Sequence, residues 1–317
     1  MKYFITGGAG FIGSNLVDRL LKDGNEVVVY DNFSTGMIEF LRDAKKNPNL
    51  KIITGDILDT QKLDISMFGC DFVFHLAANA DVRRGTEHPD KDLKQNTIGT
   101  FNVLESMRAN NIKKIAFSST GSVYGESSVI PTPEDAPFPI QTSLYGASKL
   151  AGEGLIQAYC EGYNFQSWIF RFVSILGKNY SHGHVYDFFR QLQAHPSYLY
   201  VLGDGTQKKS YLNVKDCIDG IFCALNNSNE KVNIFNLGTD EFVEVYNSIG
   251  IIGTYLNYIP ELIYSGGSRG WIGDNPMILL NCYKIRNLGW NPKYSIKESI
   301  IETLEYLKQN KWLLEAR

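Results

Sequence analysis

The sequence predicts an α/β fold in which a doubly wound parallel sheet is followed by a smaller α/β lobe. Short apolar segments alternate with helical patterns through the first half of the 317 residues. This alternation is typical of a parallel sheet with helices on both faces. After about residue 175 the pattern becomes less regular. We therefore expect a sheet domain over residues 1–174, with returning segments near 206–238, and an interleaved lobe over most of residues 175–317.

Six short apolar segments of the first half have the character of buried strands, and four longer segments have helical spacing. The predicted strands are Lys2–Thr6, Glu26–Tyr30, Leu50–Thr54, Phe72–His75, Ile115–Ser119 and Ser167–Phe172. The predicted helices are Phe11–Lys22, Met37–Lys46, Leu93–Ala109 and Leu144–Tyr163. In the lobe we expect helices near residues 185–193, 216–226 and 296–309, and a turn at residues 203–205.

Composition narrows the classes of partner. The formal net charge is −3 and no dense basic tract occurs, which argues against nucleic acid or a membrane surface as the main partner. The five cysteines are scattered without a Cys-x-x-Cys pair, so neither a disulfide framework nor a metal site is expected. No apolar run approaches the roughly 18 residues of a membrane span. We expect a cytoplasmic protein.

A glycine-rich turn follows the first predicted strand and opens the first predicted helix. Gly7, Gly10 and Gly13 are three residues apart, and Gly8 also fits the dinucleotide fingerprint. Without side chains, the backbone of such a turn can approach a pyrophosphate, whose charge then faces the amino end of the helix. The pattern predicts a Rossmann-type dinucleotide site.

An acidic residue at the end of the second predicted strand favours one cofactor. Asp31, followed by Asn32, lies 18 residues after Gly13. A carboxylate at this place can accept hydrogen bonds from the ribose hydroxyls and would repel a 2′-phosphate, so NAD is favoured over NADP. Asp56 follows the third strand, where we expect contact with the adenine. Leu76, Ala77 and Ala78 follow the fourth, where small residues let the backbone lie along the cofactor.

A tyrosine and a lysine lie four residues apart at the start of a predicted helix. Tyr145 and Lys149 therefore share one helix face. A cation beside the phenol, together with a positively charged nicotinamide ring, would lower the tyrosine pKa and allow proton exchange near neutral pH. Thr120 lies just past the fifth strand, where its hydroxyl can hydrogen-bond the reacting oxygen. Alone, Tyr-x-x-x-Lys also fits a surface pair, and the Ser and Thr residues around Thr120 also fit a turn.

These motifs, in this order, resemble those of the extended short-chain dehydrogenases that act on nucleotide sugars. The resemblance covers nearly the whole chain. The segments Gly203–Asp216 and Arg269–Asp274 are similar to later motifs of the UDP-glucose 4-epimerase family, especially the compact archaeal type. The resemblance implies hydride transfer at a hydroxyl-bearing carbon and a homodimer formed through the helices Leu93–Ala109 and Leu144–Tyr163.

The resemblance also implies a set of site residues. The expected catalytic residues are Thr120, Tyr145 and Lys149. The expected contacts or scaffold of the NAD site are Gly7, Gly10, Phe11, Ile12, Gly13, Asp31, Asn32, Ser34, Gly36, Asp56, Ile57, Leu76, Ala77, Ala78, Asn96, Ser118, Tyr145, Lys149 and Val173. The expected contacts with a nucleotide-diphosphate sugar are Ser122, Ser174, His184, Val185, Lys209, Tyr211, Arg269 and Asp274. No residue is expected to bind a metal; the pair His182 and His184 fits a polar loop or a substrate contact better.

Three positions depart from the pattern of these epimerases. Ser174 stands where they usually carry an Asn, Leu144 replaces a common Pro, and Trp271 occupies a position that carries an Arg in others. The departures concern the substrate and its geometry and leave the catalytic residues intact. Ile278 resembles the position that limits room for an N-acetyl group, and its intermediate size decides nothing.

Four functions compete at this point. A nucleotide-sugar 4-epimerase would oxidise C4 of the sugar, turn the 4-keto sugar over and return the hydride to its other face. A dehydrogenase or reductase would release the keto sugar after one transfer, using the same residues. A 4,6-dehydratase needs an acid–base pair to eliminate water, and dehydratases of the family that this chain resembles carry Asp-Glu directly after the threonine. Here Gly121 and Ser122 follow Thr120, which argues against a dehydratase. A non-catalytic dinucleotide sensor would not need the catalytic residues.

Overall fold

The structure is a computed structural model that describes residues 1–79, 85–137 and 140–315. Within these residues, seven parallel strands form the main sheet. The strands are β1 (Lys2–Thr6), β2 (Glu26–Asp31), β3 (Leu50–Thr54), β4 (Phe72–His75), β5 (Lys114–Thr120), β6 (Gln166–Phe172) and β11 (Val232–Leu237). Their spatial order is β11-β6-β5-β4-β1-β2-β3. The predicted α/β fold with a Rossmann-type parallel sheet is confirmed.

Helices cover both faces of this sheet. On one face, α1 (Phe11–Lys22) and α7 (Val214–Asn227) contribute Leu16, Leu20 and Ile221 to the larger hydrophobic core. The other face is covered by helices whose residues belong to the second core. Those helices are α2 (Thr60–Met67), α4 (Gly99–Ala109) and α5 (Leu144–Tyr163). A short helix, α3 (Pro89–Asp92), leads through one π-helical turn, Leu93–Ile98, into α4.

The strand order reverses between β1 and β4, which are neighbours in the centre of the sheet. In open α/β sheets the crevice at the carboxyl ends of such strands is where ligands bind. Here those ends are Thr6 and His75, so the crevice lies directly above the glycine turn that follows β1.

Shorter sheets form the rest of the structure. β7 (Ser174–Leu176) pairs with β10 (Tyr211–Asn213), and β8 (Tyr198–Val201) pairs with β13 (Glu261–Tyr264). β9 (Lys208–Lys209) lies between β12 (Val243–Glu244) and β14 (Met277–Ile278). The remaining helices are α6 (His184–Ala194), α8 (Val245–Leu256), α9 (Tyr283–Arg286), α10 (Ile296–Gln309) and α11 (Trp312–Glu315). In the described part of the chain, no helix is long and apolar enough to cross a membrane.

Several elements differ from the sequence prediction; β11 and α8, for example, were not predicted. The helix expected over Met37–Lys46 is wrong: the segment forms two short 3-10 turns, Ile38–Leu41 and Ala44–Lys46. The hydrophobic spacing does reflect burial, since Phe40 and Leu41 are buried. The first turn is 3-10 and not α-helical because Phe40 N–H donates to Met37 O, three residues earlier in the chain. Helix α2 was missed, although Asp59 caps it by accepting from Lys62 N–H at 3.1 Å.

Candidate functional site

The glycine turn after β1 is packed too tightly for side chains. Gly7 has φ +71°, and a Cβ on it would lie 2.7 Å from Ala77 N, at the end of β4. A Cβ on Gly13 would lie 2.3 Å from Gly7 O. Gly10 is the amino-terminal cap residue of α1, where no side chain accepts from the helix amides. The N–H groups of the first turn, at Phe11 and Ile12, therefore remain available for an anion.

Asp31 is held at the end of β2 beside this turn. Its side chain accepts hydrogen bonds from Ala9 N–H at 2.9 Å and Phe33 N–H at 2.8 Å, and the residue is only 7% exposed. A Cβ on Gly36 would lie 2.9 Å from the carboxylate oxygens. Burial raises the pKa of Asp31, and the two backbone hydrogen bonds oppose that shift. The carboxylate is thus fixed in orientation beside the glycine turn.

Other expected cofactor residues line the same edge of the sheet. Asn32 donates to Asp56 at 2.9 Å, which joins the ends of β2 and β3. A cavity of about 580 Å³ beside them is lined by the loop that contains Ser34 and Gly36. Ile57 is buried below this edge.

The residues at the end of β4 continue the same edge. Ala77 N–H donates to the hydroxyl of Thr6 at 3.2 Å, and Leu76 N–H to the carbonyl of Thr6 at 3.1 Å. Ala78 follows. Val173 comes directly after β6, which is separated from β4 by β5, and its N–H donates to Leu237 O. Ser118 donates to His75 O at 3.3 Å.

Asn96 links two segments of this edge from within the π-helical turn. It accepts from Asn79 N–H at 2.8 Å and donates to Ser148 Oγ at 2.9 Å and Asp92 Oδ1 at 3.2 Å. A π-helical turn is rare and frequently occurs at functional sites. Here it lets one buried amide connect the loop after β4 with α5.

The catalytic residues expected from the sequence lie on adjoining elements. Thr120 is the last residue of β5. Its hydroxyl accepts a hydrogen bond from Ser122 N–H at 3.1 Å and donates one to Ser122 Oγ at 3.2 Å. Tyr145 lies in the first turn of α5 and Lys149 in the next. The start of α5 packs on the turn after Thr120, because a Cβ on Gly146 would lie 2.7 Å from Ser122 O.

The electrostatics of Tyr145 and Lys149 differ from the sequence expectation. Burial, together with the charge of Asp92, raises the pKa of Tyr145 to about 12. Burial also lowers the pKa of Lys149 to about 7, against the opposite effects of Glu153 and Asp92. The expected lowering of the tyrosine pKa by Lys149 is therefore not found in the chain alone. The charge of the nicotinamide ring, which is also expected to lower the pKa of Tyr145, belongs to the bound cofactor.

Buried charges beneath the catalytic residues were not predicted from the sequence. Glu153 and Arg171 form an ion pair with 2.7 Å between Oε2 and Nη2, and their side chains are 0% and 2% exposed. Asp92 is also buried. Glu153 lies four residues after Lys149, so the helical spacing that identified Tyr145 and Lys149 was the signal that could have found it.

The residues expected to contact the substrate form two groups. In the first, Ser174 of β7 pairs in register with Tyr211 of β10, and His184 stacks on Tyr211 with 4.8 Å between ring centroids. His184 also shares a hydrogen bond of 2.7 Å with Ser248 Oγ. Val185 lies beside His184, but its side chain is fully buried in the core, so only its backbone is available to a ligand.

The second group is held by carboxylates. Lys209 Nζ pairs with Asp274 Oδ1 at 2.6 Å and also donates to Asn275 O at 2.5 Å. Arg269 donates to Asp274 O at 3.0 Å and forms an ion pair with Glu126. Lys209 of β9 and Arg269 thus meet at the loop that contains Asp274, and each cation is paired with an acidic side chain.

Asn275 connects this loop to both catalytic segments. Its side chain donates to Gly125 O at 3.0 Å and accepts from Thr142 Oγ1 at 2.9 Å. Nearby, Ile278 of β14 approaches the turn after Thr120, since a Cβ on Gly121 would lie 3.2 Å from Ile278 Cγ2. The lobe therefore closes over the end of β5.

A dinucleotide cradle, a tyrosine and a lysine one turn apart on α5, and a covering lobe define an oxidoreductase-type enzyme that holds its substrate beside a nicotinamide cofactor. No group of His, Cys, Asp or Glu in the described residues is arranged to bind a metal ion. Residues 3–238 match the model of the NAD dependent epimerase/dehydratase family. The chain belongs to this family, and its cofactor is NAD, as the sequence predicted.

Relatives are similar over nearly their whole length. A putative UDP-glucose 4-epimerase of Methanocaldococcus jannaschii is 34% identical, covering 96% of this chain and 98% of the relative. The crystal structure of a UDP-glucose 4-epimerase from Thermotoga maritima with UDP-glucose has a TM-score of 0.88 at 31% identity, covering 98% and 100% of the chains. A UDP-glucuronic acid 4-epimerase from Bacillus cereus, in complex with UDP-glucuronic acid and NAD, has a TM-score of 0.90 at 27% identity, covering 98% and 99%.

Proposed function

We propose that the protein is an NAD-dependent nucleotide-sugar 4-epimerase that interconverts UDP-glucose and UDP-galactose through a transient 4-keto sugar. The observation that carries this proposal is the packing of the Tyr145 turn of α5 on the turn after Thr120, at the sheet edge that holds the glycine cradle. The full-length similarity to 4-epimerases supports the same reaction. The alternative, a dehydrogenase that releases the 4-keto sugar, is not favoured.

The residues of the chain fit NAD. The turn at Gly7, Gly10 and Gly13 leaves backbone amides and the start of α1 facing the pyrophosphate, and Asp31 would accept from the adenosine ribose. Bound NAD would supply the acceptor for the hydride from C4 of the sugar and the donor of that hydride to the opposite face of the keto sugar. Lys149 would hold the nicotinamide ribose.

Tyr145 is the proposed proton acceptor for the C4 hydroxyl, and Thr120 the hydrogen-bond partner of the reacting oxygen. A phenol with a pKa of about 12 is a poor base at neutral pH, so nearby positive charge has to lower that pKa for the reaction. Lys149, on the next turn of the same helix, would supply one such charge in its protonated form, and the oxidised nicotinamide ring would supply the second. The same phenol then protonates the oxygen after the keto sugar has turned over.

The nucleotide diphosphate would lie against the lobe. Tyr211, Ser174 and His184 already form one surface, and Ser122 lies beside Thr120 at the reacting end. In our proposal the diphosphate competes with Glu126 for Arg269 and with Asp274 for Lys209, because phosphate oxygens are strong acceptors for both cations.

The experiment is direct. Purified protein with NAD is incubated with UDP-glucose, UDP-galactose, UDP-glucuronic acid and the N-acetylated UDP-sugars, and the products are followed by NMR. We expect conversion between the first two, and loss of conversion in Tyr145→Phe but not in Tyr283→Phe, whose ring is 69% exposed. If only UDP-glucuronic acid were converted, it would replace UDP-glucose and UDP-galactose as the proposed substrate. Absence of any conversion would refute the proposal.

We also propose a cytoplasmic homodimer and keep the domain division near residue 174. Apolar side chains remain exposed on the faces of the helices through which the family resemblance implies dimerisation. They are Leu93, Ile98, Phe101, Leu144 and Tyr163. Burying such a surface on association is favourable. A dimeric mass by light scattering at micromolar concentration is expected, and a monomeric mass would contradict it.

A further inference from the structure

The carboxylate of Glu153 is buried at the junction of four segments around the catalytic residues. Arg171 of β6 donates to it from Nη2 at 2.7 Å and from Nε at 3.0 Å. Ser119 of β5 donates to the same carboxylate with a short hydrogen bond. Arg171 also donates to the hydroxyl of Tyr124 at 2.7 Å and to Glu134 O at 2.9 Å. The Glu153–Arg171 pair thus joins β5, β6, α5 and the turn after Thr120.

The cost of this arrangement indicates a role beyond stability. Removing two charges from water is expensive, and well-packed apolar residues in place of such a pair are often as stable or more so. Glu153 and Arg171 are almost completely buried. The carboxylate of Glu153 accepts hydrogen bonds from Ser119 and Arg171, whose side chains lie next to the catalytic residues.

The position of Glu153 relates it to all three catalytic residues. It lies four residues after Lys149 and eight after Tyr145, so the three side chains are on one face of α5. Ser119, which the carboxylate holds, directly precedes Thr120 in the chain. One buried group therefore fixes the helix that carries the base and the strand end that carries the hydroxyl.

The charge of Glu153 acts on Lys149, whose ammonium is buried and 4.4 Å from the centroid of the Phe117 ring. The titratable groups that act on Lys149 are Glu153 on its own helix and Asp92 of α3; both favour its charged form. His75 of β4 faces it too, but burial lowers the pKa of that imidazole to about 3, so it is neutral. Of the two carboxylates, Glu153 has the larger opposing effect on the pKa of Lys149.

We propose that Glu153 is a positioning residue of the epimerisation: its charge keeps Lys149 protonated, and its bond to Ser119 holds Thr120 opposite Tyr145. The inference rests on the proposed function. It predicts that the charge and the hydrogen bond of Glu153 can be separated experimentally. Loss of charge moves the pH dependence of turnover, whereas loss of the bond to Ser119 lowers turnover without moving it.

The test compares kcat against pH in four forms of the holoenzyme. In Glu153→Gln, the pH above which kcat falls should drop by about one unit, because an opposing charge in the interior shifts a pKa by that order. Glu153→Asp keeps the charge and should keep the wild-type profile at lower kcat. Ser119→Ala should lower kcat roughly tenfold with the profile and KM unchanged. If Glu153→Gln does not fold, Glu153→Gln/Arg171→Met removes both buried charges. Because loss of the Arg171 cation partly offsets loss of the Glu153 carboxylate, its displacement should have the same direction and a smaller size.

A second measurement needs no turnover. In protein labelled with ¹³C at the lysine Cε, the Lys149 resonance is assigned by its loss in Lys149→Ala and titrated by NMR. Its titration midpoint should be lower in Glu153→Gln than in the wild type. An unchanged midpoint, or unchanged kcat profiles in a wild type that is active, would overturn the role of Glu153. A wild type inactive on all nucleotide sugars would instead refute the proposed function.

Discussion

Replacing Asp31 tests the NAD site where the structure makes the magnitude calculable. The carboxylate accepts two backbone hydrogen bonds, from Ala9 at 2.9 Å and from Phe33 at 2.8 Å, in a place only 7% exposed. In Asp31→Ala both N–H groups lose their acceptor. At about 1–3 kcal/mol for each donor left unsatisfied, the free energy of unfolding should fall by about 2–6 kcal/mol.

The same substitution should weaken NAD binding. The lost hydrogen bonds from the ribose hydroxyls to a charged acceptor are worth about 1.5–3 kcal/mol, which corresponds to a roughly ten- to hundredfold higher Kd. In Asp31→Asn one acceptor oxygen remains and the negative charge is gone. Its stability should lie between those of the wild type and Asp31→Ala, and its preference for NAD over NADP should be smaller.

Two assays separate these effects. Thermal unfolding without cofactor gives the stability, and calorimetric titration with NAD and with NADP gives the affinities. Asp43→Ala is a suitable control, because its exposed side chain only pairs with Lys46. Wild-type protein that binds NADP as tightly as NAD, or Asp31→Ala with a Kd for NAD within threefold of the wild type, would refute the assignment.

Three other substitutions test separate parts of the account. Tyr145→Phe should lower kcat by about 10²–10⁴-fold with bound NAD unchanged, as measured by turnover and cofactor content; full activity would exclude the proposed base. Gly13→Ala forces a Cβ to 2.3 Å from Gly7 O and should cost about 1–3 kcal/mol and NAD affinity, whereas Gly154→Ala, with open space around it, should cost neither. His75, whose pKa burial lowers to about 3, should make the folded chain less stable as pH falls from about 6.5 to 3, by up to about 1.4 kcal/mol per pH unit. The sign follows because the unfolded chain binds a proton that the folded chain refuses; denaturation of His75→Gln should show a smaller pH dependence, and an equal one would contradict the argument.

Local patterns predicted the sheet because they record burial directly. The strand Lys2–Thr6 and the helices Phe11–Lys22 and Leu144–Tyr163 have the predicted bounds. In each of them the apolar residues that gave the pattern are the ones that pack into the hydrophobic core. Residues Met37–Lys46 have the same hydrophobic spacing, but the pattern does not distinguish an α-helix from successive 3-10 turns. The two-residue strands around Lys208–Lys209 were missed because they depend on partners distant in sequence.

The candidate site divides in the same way. Gly7, Gly13 and Asp31 could be identified from spacing, because the turn and the strand end that use them are local. The electrostatics could not be, since they depend on how deeply Tyr145 and Lys149 are buried and on Asp92 and Glu153 beside them. The pairing of Arg269 with Glu126 joins residues 143 positions apart and has no local signal.

The central claim is that the hydride removed from C4 of the sugar returns to the same carbon. Its most direct test uses UDP-glucose carrying deuterium at C4, incubated in ordinary water with purified holoenzyme, with NMR and mass spectrometry of the product and absorbance of the reduced cofactor. We predict UDP-galactose that retains the deuterium at C4, with reduced cofactor never exceeding the amount of enzyme. Loss of the label from C4, or reduced cofactor accumulating together with a released 4-keto sugar, would contradict it.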